Sequence, residues 1–237
     1  APFRLILPYV PPFSDPRTKE KVVQVHAKDV LDLGTGPGQP SLLIAKTLPS
    51  AKVHDLSSFH SKSFDAVTMS FVLMFVPDKA KSLREIGRVL RAGGHAFISI
   101  WKKMPFFTLA VEAYAEIAGE KPKEMPVNPL ALAEEKLMKD LIEETRGLLV
   151  LEHEEPVSYP FPLGTAEEAC DGAMVAAGSW VAKLKSDGIA AAKERFCQEF
   201  IKKLEENGMK SGDTYEITGA TASLMSLKKP EMFGAEL

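Results

Sequence analysis

Over the first hundred residues, short apolar runs alternate with segments of helical period. Val30-Leu31-Asp32-Leu33 is one such run, and it ends in a turn, Gly34-Thr35-Gly36-Pro37-Gly38. Ser41 to Leu48 follows with helix-like content. A second run spans Phe64 to Val76. Pro77-Asp78 then opens a segment in which Ala80, Leu83, Ile86 or Gly87, and Leu90 recur at helical spacing, with Lys79, Lys81, Arg84, Glu85, Arg88 and Arg91 between them. Asp78 suits an N-cap. Gly93-Gly94 is the expected helix stop. His95 to Trp101 forms a third run, nearly all apolar, as a strand covered on both faces should be.

The second half is more mixed. Residues 102–129 carry Pro105, Pro122, Pro126 and Pro129, with a short helix expected at Phe106 to Tyr114. Leu130 to Thr145 reads as an amphipathic helix with Ala133, Leu137, Met138, Leu141 and Ile142 on one side. Leu148 to Glu155 starts as a strand. Pro156, Pro160 and Pro162 keep the chain extended beyond it. Thr165-Ala166-Glu167-Glu168 is a capping box, opening a helix with Ala169, Ala173, Ala177 and Trp180 near one face. A second helix is expected from Gly188 to Asn207, with Ile189, Phe196, Phe200 and Leu204 as its core stripe. Thr214 to Leu227 has strand content, and Gly219 marks an expected bulge. At the other end, residues 1–27 are proline-rich and then helix-like from Asp15 to His26.

Candidate chemistry centres on the glycine turn. Glycine serves where backbone must approach a ligand closely or adopt positive φ, and the amides opening the next helix face whatever polar group lies there. A dinucleotide fingerprint requires G-x-G-x-x-G. Gln39 and Ser41 occupy the third-glycine positions in the two possible registers, which argues against a nicotinamide reductase. What is present is D-x-G-x-G-x-G, Asp32 to Gly38.

That turn resembles motif I of the class I S-adenosylmethionine (SAM)-dependent methyltransferases. Ser63-Phe64-Asp65-Ala66-Val67 resembles the family's fourth strand, and Arg84 to Trp101 resembles its "evlRvLkpGG.l.is.w" pattern. The resemblance is closest to the small-molecule branch related to ubiquinone and menaquinone methyltransferases. It implies an α/β fold with a Rossmann-like sheet, mostly parallel with an antiparallel last strand and helices on both faces. It also implies SAM as cofactor, held by Asp32, Gly34, Thr35, Gly36, Gly38, Asp55, Ser70 and Phe71. Tyr9, Trp101 and Phe106 are the candidate substrate-pocket residues. On this reading the chain is one domain: an N-terminal cap (1–27), a SAM-binding core (28–101), a lid and helix (102–147), and C-terminal strands and helices (148–237).

The interval between motif I and the fourth strand departs from the family. Only Pro49 to Lys62 lies between the first helix and Ser63, roughly 25–35 residues short of the pattern, where one βαβ crossover alone needs about a dozen. Between Ala51 and Ser63 the chain has either a true deletion or lost residues. Asp55 is either the acid that bonds the ribose hydroxyls or the later Asp on the adenine side.

Charge and composition narrow the function. Net charge is −3 with no basic block, so a nucleic-acid footprint is absent. No apolar run reaches the ~18 residues of a membrane span. No signal-peptide pattern is evident, and the expected setting is a soluble protein of the cytoplasm or an organelle lumen. Cys170 and Cys197 read as small buried residues rather than a redox pair. His60 and His153 lie where loops could reach a cleft but read as solvated or core-edge histidines, the Glu152–Glu155 cluster reads as a solvated strand end, and no His/Cys/Asp spacing suggests a metal. Ser70-Phe71-Val72-Leu73 is not the Asn/Asp-Pro-Pro-Tyr segment of relatives that methylate amino groups of bases or glutamine. The expectation is therefore an enzyme that methylates a small molecule, with no catalytic residue assigned. The alternative is a silent SAM-binding module.

Overall fold

Three apolar runs become neighbouring parallel strands in the computed structural model. The structure describes residues 3–4, 24–25, 27–34, 59–123, 125, 128–158 and 160–231. Two short strands, β1 (Phe3–Arg4) and β2 (Gln24–Val25), pair antiparallel, so the helix expected from Asp15 to His26 does not extend over 24–25. The rest of that segment lies outside the described residues. β3 (Val30–Asp32) and β4 (Phe64–Ser70) pair in parallel, as do β4 and β5 (Leu90–Lys103). The sheet continues through β10 (Thr221–Lys228) to β6 (Val150–Ser158).

β10 runs against both neighbours. The Gly93 and Lys229 amides donate to the carbonyls of Lys229 and Gly94, joining the start of β5 to the end of β10. On the other side, Ser223 pairs with Glu154 and Lys228 with Glu152. The antiparallel last strand is thus as expected, but it is shorter. Thr214 to Leu227 is split at Gly219 (φ 75°) into β9 (Thr214–Ile217) and β10. β9 joins a separate antiparallel sheet with β7 (Phe161–Gly164) and β8 (Lys210–Ser211).

Helix α1 (Lys79–Val89) begins at Asp78, whose carboxylate accepts the Lys81 amide at 2.8 Å. It ends before Gly93-Gly94, because Leu90 already turns extended (ψ 141°) and starts β5. The glycines serve the strand instead. A Cβ on Gly94 would lie 2.9 Å from the carbonyls of Arg91 and Asp65, so only glycine permits that approach. The last turn of α1 is capped from a distance: buried Lys229 donates from Nζ to the Gly87 and Leu90 carbonyls, both at 2.7 Å. Helix α3 (Glu135–Glu143) is shorter than the Leu130–Thr145 expectation. It buries Met138 but leaves Leu137 exposed. Leu31, Val67, Leu83, Ile86, Ile98, Ile100 and Leu149 belong to the core that joins these helices to the sheet.

The motif residue Asp65 is a structural staple. Its carboxylate accepts the Lys28 and Asp29 amides and the Arg91 guanidinium (2.7 Å), tying together the starts of β3, β4 and β5. Partial burial works against its charge. These donors outweigh it and hold the pKa below the ordinary carboxylate value.

The chain forms two compact units, one drawn from 1–102, 130–157 and 222–237, the other from 103–129 and 158–221. In the second, helices α2 (Pro105–Ala118), α4 (Ala166–Ser186) and α5 (Ala192–Glu206) pack on one another. The capping box forms as expected: the Glu168 amide donates to Thr165 Oγ1, and the Thr165 amide donates to Glu168. Phe196, Phe200 and Leu204 are fully buried. Cys170 and Cys197 correct the sequence reading, because they form a disulfide between α4 and α5 with Cα atoms 5.5 Å apart. Helix packing brings together residues 27 apart in sequence, a proximity that periodicity alone cannot reveal. Among the described residues no helix is long and apolar enough to cross a membrane.

Candidate active site

The C-terminal ends of β3, β4 and β5 lie side by side. Strand register places Asp32 beside Thr68, and Ser70 beside Ser99. In open α/β sheets ligands bind outside these carboxyl ends. Asp32 is only 5% exposed, and Thr68 Oγ1 donates to its Oδ1 at 2.6 Å. The Leu33 amide donates to the Thr68 carbonyl at 2.8 Å. Thr68 therefore grips both the side chain and the backbone that lead into the glycine turn.

Gly34 follows with φ 68°, in the left-handed region. Its missing side chain is also a packing requirement: a Cβ there would sit 2.5 and 2.9 Å from the Val72 methyls. The turn after β3 is thus clasped against the segment after β4. That segment is itself sharply bent. Phe71 has φ 55°, unusual for a bulky residue. Its amide donates to the Ser99 carbonyl (3.0 Å) and to Ser99 Oγ (3.2 Å). Its ring stacks on Trp101, with centroids 4.3 Å apart and planes 19° apart. Both rings are half-buried.

Asp32, Gly34, Ser70, Phe71 and Trp101, all named from sequence, thus share one end of the sheet. Thr35, Gly36, Gly38, Asp55 and Tyr9 lie outside the described residues. Phe106 belongs to the second unit. It is 9% exposed and edge-on to Phe200 (5.4 Å) and Phe161 (6.5 Å), within that unit's own packing. Sequence reasoning missed Thr68, Val72 and Ser99. The hydroxyls had a signal: each is a small polar residue flanked on both sides by apolar residues of a buried strand, where it must find a partner. Val72 had none, since its role comes from the bend at Phe71. Among the described residues no three metal-binding side chains converge.

Comparison with known proteins agrees with this architecture. Residues 46–98 match the family described as a methyltransferase domain. A protein of Bacillus halodurans C-125, provisionally described as a methyltransferase, superposes with a TM-score of 0.52 at 18% identity, over 85% of this chain and 92% of that one. The chain has the class I methyltransferase fold. Two relatives of this methyltransferase-like chain align over shorter stretches. Demethylmenaquinone methyltransferase of Thermotoga maritima is 28% identical over 108 residues, 35% of this chain and 47% of that protein. Ubiquinone biosynthesis O-methyltransferase of Xanthomonas oryzae pv. oryzae is 39% identical over 72 residues, 30% of each chain. The matched stretch spans less than half the length of either relative.

Proposed function

We propose that this chain transfers a methyl group from S-adenosylmethionine to a small-molecule acceptor. The observation that carries the reading is the buried Asp32 carboxylate at the mouth of a glycine turn, beside the bent, aromatic end of β4. A desolvated carboxylate fits an ammonium group, and since the Cβ side of Gly34 packs on Val72, the bare backbone for the amino-acid end is assigned by the motif to Gly36 and Gly38. Bound S-adenosylmethionine would supply a methyl carbon on a sulfonium, open to in-line displacement. The protein's contribution is then to orient and to exclude water. Asp32 and Gly34 hold the amino-acid end, with Thr35, Gly36 and Gly38 assigned to it by the motif. Ser70 and Phe71 border the methionine end, and Trp101, stacked on Phe71, walls the side toward the acceptor. Asp55 is assigned to the nucleoside. We assign no general base; one is needed only where the acceptor atom carries a proton it does not lose unaided.

The relatives named for quinone biosynthesis make quinone-like phenols and activated ring carbons the first acceptors to test. Calorimetry with S-adenosylhomocysteine tests the cofactor assignment: micromolar binding is expected, together with its loss in Gly36→Val. Unchanged binding in that variant, or none in the native protein, overturns the assignment. The short interval from Pro49 to Lys62 favours a second reading, a binding module without turnover. Cofactor binding with no methyl consumption across quinone-like, amine and thiol acceptors would select it.

A further inference from the structure

We propose that Thr68 is a positioning residue for the cofactor's ammonium group, acting through Asp32. The inference rests on the cofactor assignment above and extends it to a residue that does not touch the ligand. Asp32 and Thr68 are register partners on adjacent parallel strands, and both side chains are buried, Thr68 at 1% exposure. The hydroxyl-to-carboxylate bond of 2.6 Å is in the range of charge-assisted bonds. Thr68 is β-branched on a strand, so its χ1 is stiff and its hydroxyl direction is fixed by the backbone. The same residue accepts the Leu33 amide. The carboxylate and the backbone leading into the turn are therefore both held by Thr68.

A buried carboxylate without this donor would turn toward other donors, and its alignment with a ligand cation would degrade. The hydroxyl is used for orientation rather than for filling space, since the isosteric valine fills the same volume. Valine and serine therefore separate the two roles: valine keeps the methyl packing and removes the hydroxyl, and serine does the reverse.

The test measures binding of S-adenosylhomocysteine and of 5′-methylthioadenosine, which lacks the amino-acid end, to native protein, Thr68→Val, Thr68→Ser and Asp32→Asn, with thermal melts alongside. Thr68→Val should weaken S-adenosylhomocysteine binding by about 10- to 100-fold, the range for losing a hydrogen bond to a charged group. Its affinity for methylthioadenosine should stay within about threefold of native. Thr68→Ser should bind both ligands nearly as the native protein does, even though its melting point drops from lost methyl burial. If Thr68→Val binds S-adenosylhomocysteine as tightly as native protein while Asp32→Asn does not, Thr68 has no positioning role. The proposal also fails if affinity follows melting temperature across the variants, or if Thr68→Val weakens both ligands equally. If native protein and Asp32→Asn bind alike, it is the cofactor assignment that fails.

Discussion

Gly34→Ala probes the clasp between the two loops at the site. Alanine at φ 68° carries the left-handed cost of about 1–2 kcal/mol. Its Cβ would also press into the Val72 methyls at 2.5 and 2.9 Å, an overpacking cost of about 1–3 kcal/mol. Against these, alanine restricts the unfolded chain by about 0.4–1 kcal/mol. The net expectation is about 1–5 kcal/mol, a melting-point drop of roughly 2–20 °C in a chain of this size. Because Val72 supplies one of the two costs, Val72→Ala in the same chain should recover the overpacking part and leave the backbone part. A double-mutant cycle should then show favourable coupling of about 1–3 kcal/mol. Urea unfolding followed by tryptophan fluorescence reads this in a Trp180→Phe background, where Trp101 is the sole remaining tryptophan. Coupling near zero would refute the claim that Gly34 is bare to accommodate Val72. A Gly34→Ala variant as stable as the parent would refute the backbone argument as well.

Three further outcomes are expected. Lys229→Met removes two hydrogen bonds from a buried ammonium to carbonyls near the end of α1 and should cost about 2–3 kcal/mol in urea unfolding; a loss under about 0.5 kcal/mol would mean that the clasp is not needed. His95 is pushed below the ordinary histidine pKa, chiefly by burial, with Glu152 opposing and Lys228 reinforcing. Its contribution is therefore complete above about pH 6.5 and lost as pH falls, because the unfolded chain then binds more protons. His95→Gln should flatten the stability slope between about pH 5 and 7, and an unchanged slope would rule out His95 as its source. Reduction of the Cys170–Cys197 bridge, which spans 27 residues, should destabilise the helical unit by about 3.5 kcal/mol on the chain-entropy account. The check is Trp180 fluorescence during urea unfolding with and without reductant, and coincident curves would contradict the expectation.

Much of the sheet was legible because its strands are buried on a regular pattern and its punctuation is local. The runs at Val30, Phe64 and His95 are mostly apolar stretches, and the Asp78 cap and the Thr165 box rest on hydrogen bonds between residues three apart. Element ends were less legible. Gly93-Gly94 looks like a helix stop, yet its glycines serve contacts with Asp65 and Lys229, far away in sequence. The split of Thr214–Leu227 into strands of two different sheets depends on which partner each half finds, which no local pattern encodes. In the site, Asp32 and Gly34 announced themselves by residue type and spacing. Thr68 and Ser99 became meaningful only once strand register set them beside Asp32 and Phe71. The disulfide likewise required the packing of α4 on α5.

The most direct test of the account is a crystal structure of the protein with S-adenosylhomocysteine. The account predicts the ligand's amino group within hydrogen-bonding distance of the Asp32 carboxylate, its backbone-facing edge along Gly34 to Gly38, and its sulfur near Ser70 and Phe71. Density for the ligand away from the C-terminal ends of β3 and β4, or a turn closed over by the protein's own side chains with the ligand absent, would contradict it.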